Sequence, residues 1–229
     1  MHFPLSVLFE DNYLLALNKP CGIVTDKDAR MNDTLEAQAL AYLRSKEKYP
    51  EKCFIGLPHR LDRPVSGVVL FAKKKSMLKK LSEIFEKREI EKTYWAIVES
   101  KPKKSEDALT HWLVKDAAEK RALVYDSQVK NSTHVALQYK TLTENTRGAL
   151  LEIKLLTGKF HQIRAQFAHI GCPIAGDARY GGKSPYREHA ICLHARELRL
   201  LHPATGSALQ IQAPAPEDAA WKSFIDGHH

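Results

Sequence analysis

The chain has 229 residues, 44% of them hydrophobic, enough for one sizeable core or two small ones, so a disordered or disulfide-stapled peptide is excluded. Lys and Arg outnumber Asp and Glu by 35 to 27, a formal charge of +8 that suits a polyanion such as nucleic acid or an anionic membrane. The excess is concentrated in residues 51–104, with fourteen basic against seven acidic side chains; 1–50 carry a net −1, 105–150 a net 0 and 151–229 a net +2. No apolar run approaches the ~20 residues that span a bilayer. The opening MHFPLSVLFEDNYLL holds two acids and no basic stretch, so it does not read as a signal peptide, and a cytoplasmic location is expected. Cys21, Cys53, Cys172 and Cys192 form no CxxC pair, which argues for reduced, mostly buried thiols rather than a zinc site or disulfide framework. His228-His229 has the look of an affinity-tag remnant and is set aside, leaving 1–227.

In chain order, residues 6–10 and 13–18 read as two short strands reversing at Asp11-Asn12, since Asx side chains favour a tight turn. A helix is expected from Thr34, capped by Asp33 or Thr34, with Glu36 in its first turn and an end before Pro50. Residues 57–67 form a polar loop with Pro58 and Pro64, followed by the β-branched strand 68–72. From Lys74 to Ile90, Met77, Leu78, Leu81, Ile84 and Phe85 make one apolar stripe at helical spacing, with the lysines mostly on other faces. Strands follow at 93–98, 111–114, 122–125, 135–142 and 149–156, then a helix over 160–170 stopped by Gly171 and Pro173, then a hairpin of 191–201 and 208–212. Many strands with few helices between them, and no linker or repeat, predict one α+β domain with a mixed, largely antiparallel sheet.

Asp62 is the first candidate for chemistry, because it stands in a charged loop just ahead of a buried strand, and such loops often carry catalysis. On spacing alone, a surface aspartate paired with Arg60 or Arg63 accounts for it as well. A carboxylate kept ionised in an enclosed site requires a cation nearby. The segment from Leu156 to Arg164 can supply one: Gly158 lets the backbone approach a ligand, and His161 and Arg164, three apart, share a helix face while Ile163 turns inward. A solvated arginine beside a histidine satisfied by the backbone fits the same pattern. On the strand around Tyr94, that residue shares a face with Ala96 and Val98, while Trp95 reads as core. The motifs for nucleotide phosphates, dinucleotides, zinc proteases and serine hydrolases are all missing from the sequence.

His-Arg-Leu-Asp-Arg-Pro-Val-Ser-Gly at 59–67 resembles the HRLDxxTSG motif of the RluA-type pseudouridine synthases, isomerases that convert uridine to pseudouridine in ribosomal and transfer RNA. Four more segments match that family in order: VLFEDNYLLALNKPCGIV at 7–24, EKTYWAIV at 91–98, LLTGKFHQIRAQFAHIGCPIAGDARYG at 155–181 and LHARELRLLHPATG at 193–206. The resemblance implies the pseudouridine synthase fold with a central catalytic cleft. It implies Asp62 as the essential carboxylate, Tyr94 as the aromatic packed on the target base, and Arg164 as the cation paired with Asp62. Arg60 is implied to displace the target nucleotide. His59, Arg63, His161 and Gln162 complete the expected RNA-contacting set, with Lys74 and Lys75 tracking phosphates from the basic helix.

The isomerisation breaks the bond from the anomeric carbon to uracil nitrogen, turns the base and rejoins it through carbon 5, with Asp62 acting on the anomeric carbon or on a ribose proton to give a glycal. It involves no redox change and no outside group, so neither metal nor cofactor is expected, and the uridine must be flipped out of its stack. The chain departs from the family pattern at Val65, Lys159, Phe160 and Ser100, none of which removes Asp62, Tyr94 or Arg164. The Arg63-Pro64 pair resembles the tRNA-acting subgroup. The opening hairpin starts near residue 5, so the small RNA-binding domain of many relatives is expected to be missing, and the protein is expected to be a monomer. Two other classes compete: an RNA-binding or RNA-folding protein of this fold without turnover, and a basic membrane-surface protein. The apolar stripe of 74–90 is too narrow for the last, so no membrane partner is expected.

Overall fold

The computed structural model describes residues 5–26 and 33–225, so residues 228–229 lie outside it. Its elements run β1 (Val7–Glu10), β2 (Leu14–Lys19), α1 (Leu35–Lys46), β3 (Ser66–Ala72), α2 (Lys75–Lys87), β4 (Ile90–Val98), β5 (Glu106–Asp116), β6 (Arg121–Tyr125), β7 (Thr133–Asn145) and β8 (Gly148–Leu155). They continue with α3 (Gln162–His169), β9 (Leu193–Leu201), β10 (Ala208–Gln212) and α4 (Ala219–Ile225), and short 3₁₀ turns occupy Pro50–Lys52 and Ala178–Tyr180. The architecture is α+β, and the paired strands are mostly antiparallel. The chain divides into two compact units, one of residues up to Glu91 with Ala195–Pro214, the other of Lys92–His194 with Ala215 onward. Of the three crossings, two fall inside strands, β4 and β9, where no linker composition marks them, and the third follows β10 between Pro214 and Ala215. None of the described helices is long and apolar enough to cross a membrane.

In the first unit, the β1–β2 reversal is made by the Asp11 carboxylate, whose Oδ1 accepts from the backbone N–H groups of Tyr13 and Leu14 at 2.7 Å each. β2 pairs antiparallel with β3 from Leu14 opposite Ala72 to Lys19 opposite Gly67. Leu14, Ala16, Val68, Leu70 and Ala72 pack on one face with Met77 and Leu81 of α2 and with Leu198, Leu200 and Ile211. The alternate residues Leu15, Leu17, Val69 and Phe71 are also completely buried, so these two strands are covered on both sides, as their unbroken apolar runs require. Thr34 caps α1 by accepting from the Ala37 N–H at 3.2 Å. α2 stops at Lys87 rather than at the expected Ile90, because Arg88 turns into the left-handed region (φ 60°) and Ile90 begins β4 as a buried strand residue.

The second unit orders its strands β4-β8-β7-β5-β6, all antiparallel. β5 and β7 reach 11 and 13 residues, longer than their apolar centres suggest, since ladder bonding continues through exposed polar residues at the strand ends. α3 spans only Gln162–His169; His161 lies outside it in the left-handed region (φ 53°), so His161 and Arg164 do not share a helix face as expected. α3 packs Ala165 against Leu113, Ala122 and Val135, and Phe167 edge-on to Tyr139. α4, which its seven residues made hard to foresee, seats a fully buried Trp221 whose Nε1 donates to Tyr186 Oη at 3.2 Å.

Gly67 ties the charged loop's strand to β9. Its φ of +114° suits only glycine, and a Cβ there would stand 2.2 Å from the Ala195 carbonyl oxygen. Gly67→Ala is therefore expected to lower the unfolding free energy by about 2 kcal/mol or more in urea denaturation, whereas an unchanged midpoint would contradict this close approach.

Candidate active site

The loop that carries Asp62 is held from below by a buried cation. Lys19, at the end of β2, is completely buried, and its Nζ donates to the carbonyls of Pro20 (3.0 Å), Arg63 (3.1 Å) and Val65 (2.7 Å). Three carbonyls match the three donors of an ammonium. Burial pushes the Lys19 ammonium down to about 7, against the pull of charges that include Asp62. Gly22 donates to the Arg63 carbonyl at 2.8 Å, and Arg63 Nε donates back to the Gly22 carbonyl at 2.9 Å. Val65 N–H closes a turn onto the Asp62 carbonyl at 3.0 Å. On the other side, the buried Thr25 hydroxyl donates to the Leu61 carbonyl at 2.7 Å and accepts from the Leu61 N–H at 3.3 Å. The residues immediately before and after Asp62 are thus fixed at backbone level by the segment from Lys19 to Thr25. Asp62 itself is half-buried.

The neighbours of Asp62 divide into scaffold and surface. His59 Nε2 accepts the Leu70 N–H at 2.9 Å, and its half-buried ring stacks on Phe85 with centroids 4.5 Å apart, which fastens the loop to β3 and α2. Arg60 is exposed and meets Asp26 across 3.1 Å, an ion pair loose enough to open. On α2, Lys75 is exposed, and Lys74 lies over the Tyr13 ring at 4.5 Å.

In the second unit, Arg164 is buried and forms a two-pronged pair with Asp177: Nε to Oδ2 at 2.6 Å and Nη2 to Oδ1 at 2.9 Å. Its guanidinium also lies over the Tyr180 ring at 5.1 Å. Asp177 had no assigned role in the sequence reading; its signal was the Gly-Asp of the segment 176–181, where a carboxylate follows a glycine in the left-handed region (φ 83°). Tyr94 is half-buried on β4, opposite Ile153, and Trp95 is also half-buried rather than part of the core.

Gln162 is corrected from RNA contact to scaffold. It is 2% exposed; its Oε1 accepts from Thr157 Oγ1 (2.9 Å) and Lys159 N–H (3.2 Å), and its Nε2 donates to the Ala136 carbonyl (3.2 Å) and Gln166 Oε1 (2.9 Å). Gln166 Nε2 in turn faces the Leu109 carbonyl (3.2 Å) and His111 Nδ1 (3.0 Å). Because Lys159 N–H can only donate, both amides are fixed in orientation, and His111 Nδ1 must accept. Neutral His111 then carries its proton on Nε2.

That matters for metals. Among the described residues, His111, Asp126 and His169 bring three possible ligand atoms within 4.8 Å of one another. His169 Nε2 already meets Asp126 at 2.8 Å, and a metal at His111 Nε2 would have to displace the proton the amide chain places there. The group fits a hydrogen bond from His169 to Asp126, with His111 Nε2 3.8 Å from the same carboxylate, better than a metal.

Lys19 makes stability depend on pH with a definite sign. Its folded value of about 7 lies below the reference 10.5, so between these limits the unfolded chain binds the extra proton and raising the pH favours the folded state. The stability of the wild type relative to Lys19→Met, from urea denaturation at pH 6.5, 8 and 9.5, should rise across the series; a flat or falling difference would contradict the buried, depressed ammonium.

Comparison with known proteins bears on the whole arrangement. The family model for RNA pseudouridylate synthase matches residues 13–169. The chain is 33% identical to the uncharacterized RNA pseudouridine synthase YhcT of Bacillus subtilis, over 93% of this chain and 70% of that one. It is 36% identical to ribosomal large subunit pseudouridine synthase C of Yersinia pestis, over 91% of this chain but only 65% of that protein. With tRNA pseudouridine synthase C of Vibrio parahaemolyticus it shares 30% identity over 96% and 94% of the two chains. The solved structure of human RNA pseudouridylate synthase domain containing 4 shares the fold, with a TM-score of 0.76 over 93% of this chain and 89% of that one at 24% identity. The chain belongs to the RNA pseudouridylate synthase family.

Proposed function

We propose that this protein isomerises a uridine of structured RNA, tRNA or rRNA, to pseudouridine, with Asp62 as the essential carboxylate. The observation that carries the reading is the anchoring of the Asp62 loop, in a chain of this family, by Lys19 and Thr25 through the backbone of the residues on either side of Asp62. Asp62 acts at the ribose, either on the anomeric carbon or on a ribose proton. The bond from that carbon to N1 breaks, the uracil turns, a bond to C5 forms, and the C5 hydrogen leaves to solvent while N1 gains a proton. Tyr94 stacks on the base, Arg164 is the cationic partner of Asp62, and Arg60 takes the place the flipped nucleotide vacates. Atoms and electrons balance within the substrate, so the reaction calls for no cofactor. Asp177 orients Arg164 by gripping two of its nitrogens, so that the guanidinium plane is set before RNA arrives. The exposed lysines of α2 add attraction for phosphates that salt screens. The protein acts in the cytoplasm as a monomer.

The test is release of tritium from tRNA and rRNA transcripts labelled at uracil C5, since each turnover frees one label. The wild type should release it from one of the two substrates, and Asp62→Ala should release none while its RNA affinity stays within about threefold. RNA binding by the wild type without any release would establish the competing reading, an RNA-binding protein on this fold.

A further inference from the structure

The loop that brings Asp177 to Arg164 is fastened to the end of β4 twice. Its inner limb is held by backbone: Glu99 N–H donates to the Pro173 carbonyl at 3.0 Å, Ala175 N–H donates to the Ile97 carbonyl at 2.9 Å, and Ile174 faces Val98 in an antiparallel bridge. Its outer limb is held by a side chain. The half-buried Glu99 carboxylate accepts the Lys183 N–H on Oε2 at 2.9 Å and the Ser184 N–H on Oε1 at 2.6 Å. Two successive N–H groups turned the same way make a concavity that suits an anion, and hydrogen bonds to a charged acceptor are stronger than those between neutral groups. Lys183 and Ser184 are themselves exposed, so the carboxylate gives this limb a hold that burial does not.

Asp177 stands between the two fastenings. Its N–H donates to the Ile174 carbonyl at 3.0 Å, and its own carbonyl accepts from the N–H groups of Tyr180 (3.0 Å) and Gly182 (2.9 Å), so the loop folds back on itself around this residue. Gly182 is pressed into that fold: a Cβ there would stand 2.5 Å from the Ile174 carbonyl oxygen and 2.8 Å from the Asp177 nitrogen. A shift of the limb at Lys183 and Ser184 is therefore passed through Gly182 to the backbone of Asp177, whose completely buried carboxylate grips Nε and Nη2 of Arg164. From this we propose that Glu99 is a positioning residue for Arg164: by clasping the Lys183 and Ser184 N–H groups it locks the loop onto β4 and sets the register in which Asp177 meets the guanidinium. The inference rests on the isomerase reading for the use made of Arg164, and adds to it a residue that works through the loop. Tyr94 lies earlier on the same strand, so β4 carries the aromatic and, through Glu99, orients the cation.

Two measurements separate this from a general loss of stability. In protein labelled with ¹⁵N-arginine, with the Arg164 Nε–H signal assigned by its loss in Arg164→Lys, exchange of that proton with solvent should be about tenfold faster in Glu99→Ala than in the wild type. Glu99→Gln keeps one acceptor oxygen and should lie between them. Amides of the β7–β8 ladder should exchange at wild-type rates in both variants. An unchanged Arg164 proton in Glu99→Ala, or ladder amides that speed up equally, would overturn the proposal. Under single-turnover conditions with C5-tritiated RNA and saturating enzyme, Glu99→Ala should release label about tenfold more slowly, with RNA affinity within about threefold of the wild type. A wild-type rate would overturn it, as would a loss confined to affinity, which would make the outer limb an RNA contact instead. If the wild type itself releases no label, the isomerase reading fails, and the exchange measurement alone still decides whether Glu99 positions Arg164.

Discussion

A buried ammonium must be surrounded by acceptors, and Lys19 meets that demand with the carbonyls of Pro20, Arg63 and Val65, two of which belong to the loop that carries Asp62. Desolvation opposes the charge strongly enough to bring its pKa down to about 7, so the arrangement persists only if the loop keeps its carbonyls aimed inward. The loop cannot drift without leaving the buried Lys19 amine short of its hydrogen-bond acceptors. Thr25 and Gly22 then lock the same loop from the next residues of the chain, which turns a polar, proline-containing stretch into a rigid platform. A carboxylate mounted on such a platform has its backbone fixed from both sides.

The second unit solves a similar problem with amides. Gln162 and Gln166 sit one helical turn apart on α3 and pass hydrogen bonds from the Lys159 N–H to His111, satisfying the interior carbonyls of Ala136 and Leu109 on the way. Every member is paired, the condition under which a buried polar network rigidifies instead of destabilising. With the start of α3 so fixed, Arg164 leaves it in one direction, toward Asp177 and the face of Tyr180. Removing Asp177 would leave a buried guanidinium short of its carboxylate, a loss of about 3–5 kcal/mol for comparable buried pairs, so Asp177 serves the fold and the orientation of Arg164 together.

Local chemistry was legible and remote partnership was not. The Asp11 turn, the Thr34 cap, the apolar stripe of α2 and the order of the strands all follow from residues within a few positions of one another. Asp62, Tyr94 and Arg164 were reached through motifs, and their roles still rest on those motifs. A lysine ending an apolar strand, as Lys19 does, reads as a side chain reaching for water; what meets it in the core are carbonyls 44 and 46 residues further on. Gln162 reads as a surface polar side chain for a related reason, because the Ala136 carbonyl it meets lies 26 residues away in sequence. His161 looked helical by periodicity, but Phe160 and Tyr180 hold it in the left-handed region, which periodicity does not register. The division into two units is not legible at two of its three crossings, because there the chain passes inside β4 and β9, where composition does not change.

Anchoring of the Asp62 loop is tested most directly by Thr25→Val, which keeps the side-chain volume and removes only the hydroxyl that clasps Leu61. Under single-turnover conditions with C5-tritiated RNA in saturating enzyme, at a temperature where the variant is folded, the rate constant for label release should fall about tenfold to a hundredfold, with RNA affinity nearly unchanged and the thermal midpoint lowered by several degrees, since two backbone groups of Leu61 lose their partner. A Thr25→Val protein that releases label at the wild-type rate would contradict the claim that this backbone clasp sets the position of Asp62.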